Sequence, residues 1–153
     1  MSFEARVAEL KLELPPAPKP VATYVPVVVL NNVAYVSGHG PLKSDKTLMT
    51  GVVGSEITEA EGKLAARQVG LAILSTLKNA GLLDKVVRLV KVLGMVNAAP
   101  DFRNHPQVIN GFSDLMVEVF GDTAGKGARS AVGMGSLPGN ISVEVEAIFE
   151  VRP

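Results

Sequence analysis

Three patterns in the sequence predict an α+β domain, a mixed sheet with two main helices on one face. First, Ser142 to Arg152 alternates strictly. Val143, Val145, Ala147, Phe149 and Val151 fall on one side, and Ser142, Glu144, Glu146, Ile148 and Glu150 on the other, as in a half-buried strand. Second, Ala65, Val69, Ala72, Ile73, Thr76 and Ala80 recur at helical spacing and should face a sheet. Third, the element order is strand, strand, helix, strand, helix, strand, strand, which places both helices over one sheet face.

The elements follow from local chemistry. Ser2 to Leu12 reads as a short helix capped by Ser2, with Phe3, Val7 and Leu10 on one stripe. Pro15 to Pro20 stops it and forms a stiff connector. Residues 1–20 are thus an N-terminal helix and Pro-rich connector, and 21–153 are the domain proper. Thr23–Leu30 and Val33–Ser37 flank Asn31-Asn32, a hairpin turn, because Asn tolerates positive φ. Thr58 and Glu61 have capping-box spacing for a helix running to about Asn79, with Gly81 positioned to end it. Val86 to Val96 is apolar on both parities apart from Arg88 and Lys91, as in a central strand. Val108 to Phe120 makes the second long helix, stopped by Gly121. Leu137-Pro138-Gly139-Asn140 reads as a turn joining the last two strands as a hairpin.

The chemistry concentrates near the C-terminus. Counting by two from Arg129 gives Ala131, Gly133 and Gly135, while Val132 and Met134 can face a core. A guanidinium beside a depression lined by small residues is suited to bidentate capture of a carboxylate or phosphate. A solvated strand-end charge fits the same residues. Glu144 on the next strand could orient or activate a water, although three glutamates on one face also describe a solvent-exposed sheet. With Val143 and Val145 turned to the helices, Arg129 and Glu144 are expected together on the opposite face.

Tyr24, Tyr35-Val36-Ser37-Gly38, Ala128-Arg129-Ser130, Leu137-Pro138 and Val143-Glu144-Val145-Glu146-Ala147, in this order around two helices, resemble the Rid/YjgF family of reactive-intermediate deaminases, also labelled endoribonuclease L-PSP. The resemblance covers roughly residues 20–152, so that 21–153 is a Rid-like domain. Ala99-Pro100-Asp101-Phe102 and Asn110 to Leu115 are similar to a divergent branch. It implies a chorismate-mutase-like fold, a homotrimer with active sites between subunits, and cofactor-free hydrolysis of 2-aminoacrylate-like enamine or imine acids to 2-keto acids and ammonia. Arg129 then matches the carboxylate clamp and Glu144 the group that positions water. Tyr24, Ser37, Gly38, Asn110 and Ala131 match substrate-binding positions. Ala131 replaces a cysteine common in the family, Gly127 a proline, and His39 a glutamine, which bears on substrate choice. A non-catalytic ligand-binding or regulatory trimer is the alternative, and an endoribonuclease a third.

Composition narrows the classes further. With 15 basic and 15 acidic residues the net charge is zero, and the basic residues are scattered, so no electrostatic footprint for nucleic acid or an anionic membrane is expected. The hydrophobic fraction of 47% with few aromatics fits either a covering partner subunit or a thick core. Absence of cysteine excludes disulfides and thiolate catalysis. His39 and His105 lack metal-ligand spacing. Each reads as a surface or turn residue, with a pocket position open to His39 because it follows Ser37-Gly38. Gly121 to Gly127 misses the spacing of a phosphate-binding loop and reads as a mobile connector shaping a cleft. No basic, apolar leader or membrane-length run is found, and a cytoplasmic location is expected.

Overall fold

Capping and turn residues set the element boundaries of the computed structural model, which describes residues 1–153. Ser2 accepts a hydrogen bond from the Ala5 amide at 3.0 Å and opens helix α1 (Phe3–Glu9). Strands β1 (Val27–Leu30) and β2 (Val33–His39) form a hairpin through Asn31 and Asn32, whose φ values are 49° and 62°. The expected Asn-Asn turn is therefore present. In the capping box of α2 (Glu59–Asn79), the Glu61 amide donates to Thr58 Oγ1 at 3.1 Å and the Thr58 amide to Glu61 Oε2 at 2.7 Å. These bonds satisfy donors that the first helical turn leaves free. Gly81, with φ 69°, follows the helix end.

Strand β3 (Val86–Asn97), helix α3 (His105–Phe120), strand β4 (Ala128–Met134) and strand β5 (Val143–Val151) complete the chain. The sheet order is β1-β2-β5-β3-β4. β3 and β4 are parallel and every other pair is antiparallel. Parallel neighbours need a long crossover, and α3 supplies it. Both long helices cover one face, where Phe112, Phe149, Ile73, Leu77, Leu89 and Ile109 are fully buried. Arg67 of α2 grips Glu118 of α3 with two bonds of 3.0 Å. A Cβ on Gly111 would collide with the Lys63 carbonyl, so this glycine sets how closely the two helices approach.

The N-terminal segment is fastened to the same side. Val7 enters the core, and Phe3 packs edge-on against Phe120 at 4.8 Å between ring centres. Ser75 of α2 donates to the Pro15 carbonyl at 2.6 Å. α1 is shorter than expected. β1 begins at Val27 rather than Thr23, and α3 begins three residues before Val108. Ala80 lies past the helix end and is exposed instead of facing the sheet.

Two larger expectations are corrected. β4 and β5 do not form a hairpin: they flank β3 on opposite sides, and the turn near Pro138 carries the chain across it. The face of β4 is also reversed. Arg129, Ala131 and Gly133 lie beside Val92, Gly94 and Val96, whose side faces α3, and Val132 is turned to the open face. Period-2 alternation says which residues share a face, not which face is covered. In Gly121 to Gly127, read as a mobile connector, Gly125 is the residue that packs against α3 while Gly121, Asp122, Thr123 and Lys126 are exposed. The Gly125 amide bonds to the Gly121 carbonyl at 2.8 Å, and a Cβ on Gly125 would meet the backbone of α3.

Candidate active site

The candidate residues fall into two clusters on opposite faces of the sheet. The first lies between edge strand β4 and α3. Arg129 Nη1 donates to Asn110 Oδ1 at 2.8 Å and to Ser113 Oγ at 3.1 Å. Asn110 and Ser113 are three residues apart on a helix and so share a face. Their acceptors hold one edge of the guanidinium. Nε and Nη2 have no protein acceptor, and together they present the two-pronged edge that suits a carboxylate. Ala131 and Gly133 follow on the same face of β4: Ala131 packs against the core, and a Cβ on Gly133 would meet the His105 ring.

The second cluster surrounds Glu144 on the other face. Val143 and Val145 on either side of it are buried in the core, so Glu144 points away from the helices. Its carboxylate lies where a side chain at position 38 would be, and a Cβ on Gly38 would collide with Oε1. The β2 to β5 register shifts between Val36 and His39, and such irregularities re-aim side chains beside functional sites. Ser37 donates through Oγ to the Val25 carbonyl at 2.6 Å, holding the segment that carries Tyr24. Tyr24, Ser37, Gly38, His39 and Glu144 together line a pocket of about 830 Å³.

Electrostatics distinguish Glu144 from its neighbours. Burial pushes its pKa above the ordinary carboxylate value, and repulsion from Glu146 adds to the shift. A carboxyl adjusted in this direction is better matched to proton transfer near neutrality. His39 is buried, contrary to the surface position expected, and does line the pocket. Its Nδ1 donates to the Ser37 carbonyl at 2.6 Å, and Nε2 lies 2.7 Å from Thr76 Oγ1. Burial lowers its pKa, opposed in part by the Ser37 bond. A neutral ring therefore braces the Ser37-Gly38 peptide against α2.

Arg129 and Asn110 are thus brought together within the chain, with Ala131 beside them. Glu144, Gly38, Ser37 and Tyr24 form the other group. The sequence did not identify Ser113, although its i+3 spacing from Asn110 was a usable signal, nor the anchoring of His39 by Thr76. No group of three or more His, Asp or Glu side chains is arranged to hold a metal, and no helix is long and apolar enough to cross a membrane.

This architecture defines a chorismate-mutase-like α+β protein with a helix-braced arginine on one face of the sheet and a pocket holding a single carboxylate, Glu144, on the other. A family model described as "YjgF/chorismate_mutase-like, putative endoribonuclease" matches residues 4–149, and the chain belongs to that Rid/YjgF family. It is 40% identical over 149 residues to Protein TCP17 of Trypanosoma cruzi, covering 97% of this chain and 93% of the relative. The solved structure of protein Atu1372 from Agrobacterium tumefaciens, a protein of unknown function, is 40% identical with a TM-score of 0.87, covering 99% and 94% of the two chains. RidA from an Antarctic Psychrobacter is 25% identical with a TM-score of 0.63, covering 88% and 94%.

Proposed function

We propose that the protein is a cytoplasmic homotrimer that hydrolyses 2-imino and enamine acids to 2-keto acids and ammonia. The observation that carries this reading is that both clusters have unused capacity of the right kind. The Arg129 cluster offers a fixed pair of donors, and the Glu144 cluster a carboxyl of raised pKa beside a pocket. Because they lie on opposite faces, a complete site requires Arg129 of one chain and Glu144 of the next. Cyclic assembly through unlike surfaces supplies such a pairing at every interface.

In this mechanism Arg129 holds the substrate carboxylate, with Asn110 and Ser113 fixing the guanidinium. Tyr24, Ser37 and Gly38 shape the space around the reacting carbon, and Ala131 leaves room beside the clamp. Glu144 takes a proton from a water as the water oxygen attacks the C=N carbon. Glu144 returns that proton to the nitrogen, giving the neutral tetrahedral carbinolamine; it then moves the hydroxyl proton to the amino group, so that the C–N bond breaks, ammonia leaves and the carbonyl forms. An enamine enters the same route after its terminal carbon takes up a proton and its N–H loses one, which converts it to the imine. General base action of this kind contributes on the order of a hundredfold or more in rate. No metal or cofactor is required by the scheme.

A non-catalytic ligand-binding trimer is the second reading, favoured by the separation of the two clusters within one chain. The discriminating assay generates imines with an amino-acid oxidase and follows their decay. Glu144→Gln should bind a 2-keto acid within about tenfold of the parent, roughly 1.4 kcal/mol, while its hydrolysis rate falls on the order of a hundredfold. Arg129→Ala should lose detectable hydrolysis, and Arg129→Lys most of its binding, since an ammonium cannot reproduce the fork. Parent-rate hydrolysis by Glu144→Gln would reduce Glu144 to a sheet-surface carboxylate.

A further inference from the structure

Within one chain, before the next chain brings its Arg129, the Glu144 pocket is larger than a three-carbon imino acid needs, and the N-terminal strap supplies much of its wall. Its volume of about 830 Å³ lies toward the upper end of pockets that enclose drug-sized ligands. Pro18, Pro20, Val21 and Tyr24 of the strap line it together with Leu48 and Ile141. Val21, Tyr24 and Leu48 are 95%, 46% and 45% exposed. Three exposed apolar side chains lining one pocket gain burial when an apolar ligand group enters.

The strap is held at both ends. Ser75 binds the Pro15 carbonyl at 2.6 Å upstream, and Ser37 binds the Val25 carbonyl through Oγ at 2.6 Å and the Pro26 carbonyl through its amide at 2.9 Å downstream. Prolines between these anchors stiffen it. A preformed wall needs little ordering when a ligand binds.

We propose that this strap and Leu48 form a side-chain subsite selecting 2-imino acids with bulky apolar side chains. The proposal rests on the hydrolase reading above and specifies its substrate class. Lys19 and Lys46 also line the pocket, and neither is paired with a carboxylate. Both are exposed, where a charge pair contributes little. The apolar lining therefore decides the preference.

Two readouts on the intact protein test this. Calorimetry measures binding of pyruvate, 2-oxobutanoate, 4-methyl-2-oxopentanoate and 2-oxoglutarate, and imine decay is followed for the corresponding amino acids. Affinity should rise by up to about fourfold per buried methylene, so that 4-methyl-2-oxopentanoate binds at least about tenfold tighter than pyruvate. Val21→Ser and Leu48→Ser should each narrow that ratio severalfold. Val21 is almost fully exposed, so its substitution does not endanger folding. A flat series, tightest binding of 2-oxoglutarate, or an unchanged ratio in both variants would overturn the subsite. If the affinity order holds while no imine is hydrolysed, the subsite stands and the hydrolase reading falls. If pyruvate's imine is hydrolysed fastest and its keto acid binds as tightly as the bulky one, the reverse is true.

Discussion

At the scale of single residues, Glu144 is the group whose surroundings most clearly depart from those of a surface carboxylate. Burial and the Glu146 charge both favour its protonated form. If Glu144 acts as a base, activity must rise with pH along a limb displaced above the ordinary carboxylate range. Glu146→Gln removes the repulsion but not the burial, so the limb should move to lower pH, as pH–rate profiles would reveal. The same shift has a sign for stability. The folded protein holds this proton more tightly than the unfolded chain, so ionisation weakens the fold as pH rises from the unfolded to the folded pKa. Glu144→Gln should therefore melt at or above the parent temperature at neutral pH, with the difference vanishing in acid. Gly38 supplies a second residue-level test. A Cβ there collides with the free end of the Glu144 side chain rather than with backbone, so the carboxylate can swing aside. Gly38→Ala should keep its melting temperature within a few degrees yet lose activity on the order of tenfold or more, as expected when a reacting group is misplaced. Parent activity in Gly38→Ala would show that the position of the carboxylate is unimportant.

At the scale of elements, α3 links the core to Arg129. Gly111 lets it approach the α2 backbone at Lys63, and the adjacent Asn110 holds Arg129. Gly111→Ala should push the helices apart at a cost of about 1–3 kcal/mol and raise KM more than it lowers kcat. Thermal melts and steady-state kinetics would check both effects. Elements specified by local chemistry were legible in the sequence: the Thr58–Glu61 box, the Asn31-Asn32 turn, and the alternation from Val143 to Val151. The pairing of β4 was not. A turn rich in Pro, Gly and Asn looks like a hairpin, but the β3 to β4 register depends on a crossover helix and contacts distant in sequence. The small residues after Arg129 read as a shallow depression on the open face; they lie instead under α3, because alternation leaves two orientations open. Ala131 and Gly133 make room beneath α3, Gly133 for the His105 ring. His39 was ambiguous for a related reason: its burial depends on Thr76, thirty-seven positions away along the chain.

At the scale of the whole molecule, the proposed mechanism makes assembly part of the chemistry, because Arg129 and Glu144 lie on opposite faces of the sheet. Light scattering should therefore find a trimer at micromolar concentration, and a stable monomer would remove the proposed site. The most direct measurement is complementation between two inactive variants, Arg129→Ala and Glu144→Gln, co-expressed or refolded together. In a ring of unlike contacts, an interface is intact when a Glu144→Gln chain supplies Arg129 and an Arg129→Ala chain supplies Glu144. Equal mixing should leave about one quarter of interfaces intact and recover about that share of the parent imine-hydrolysis rate. If the mixture forms hybrid trimers but is no more active than either variant alone, the two residues do not act across a subunit boundary.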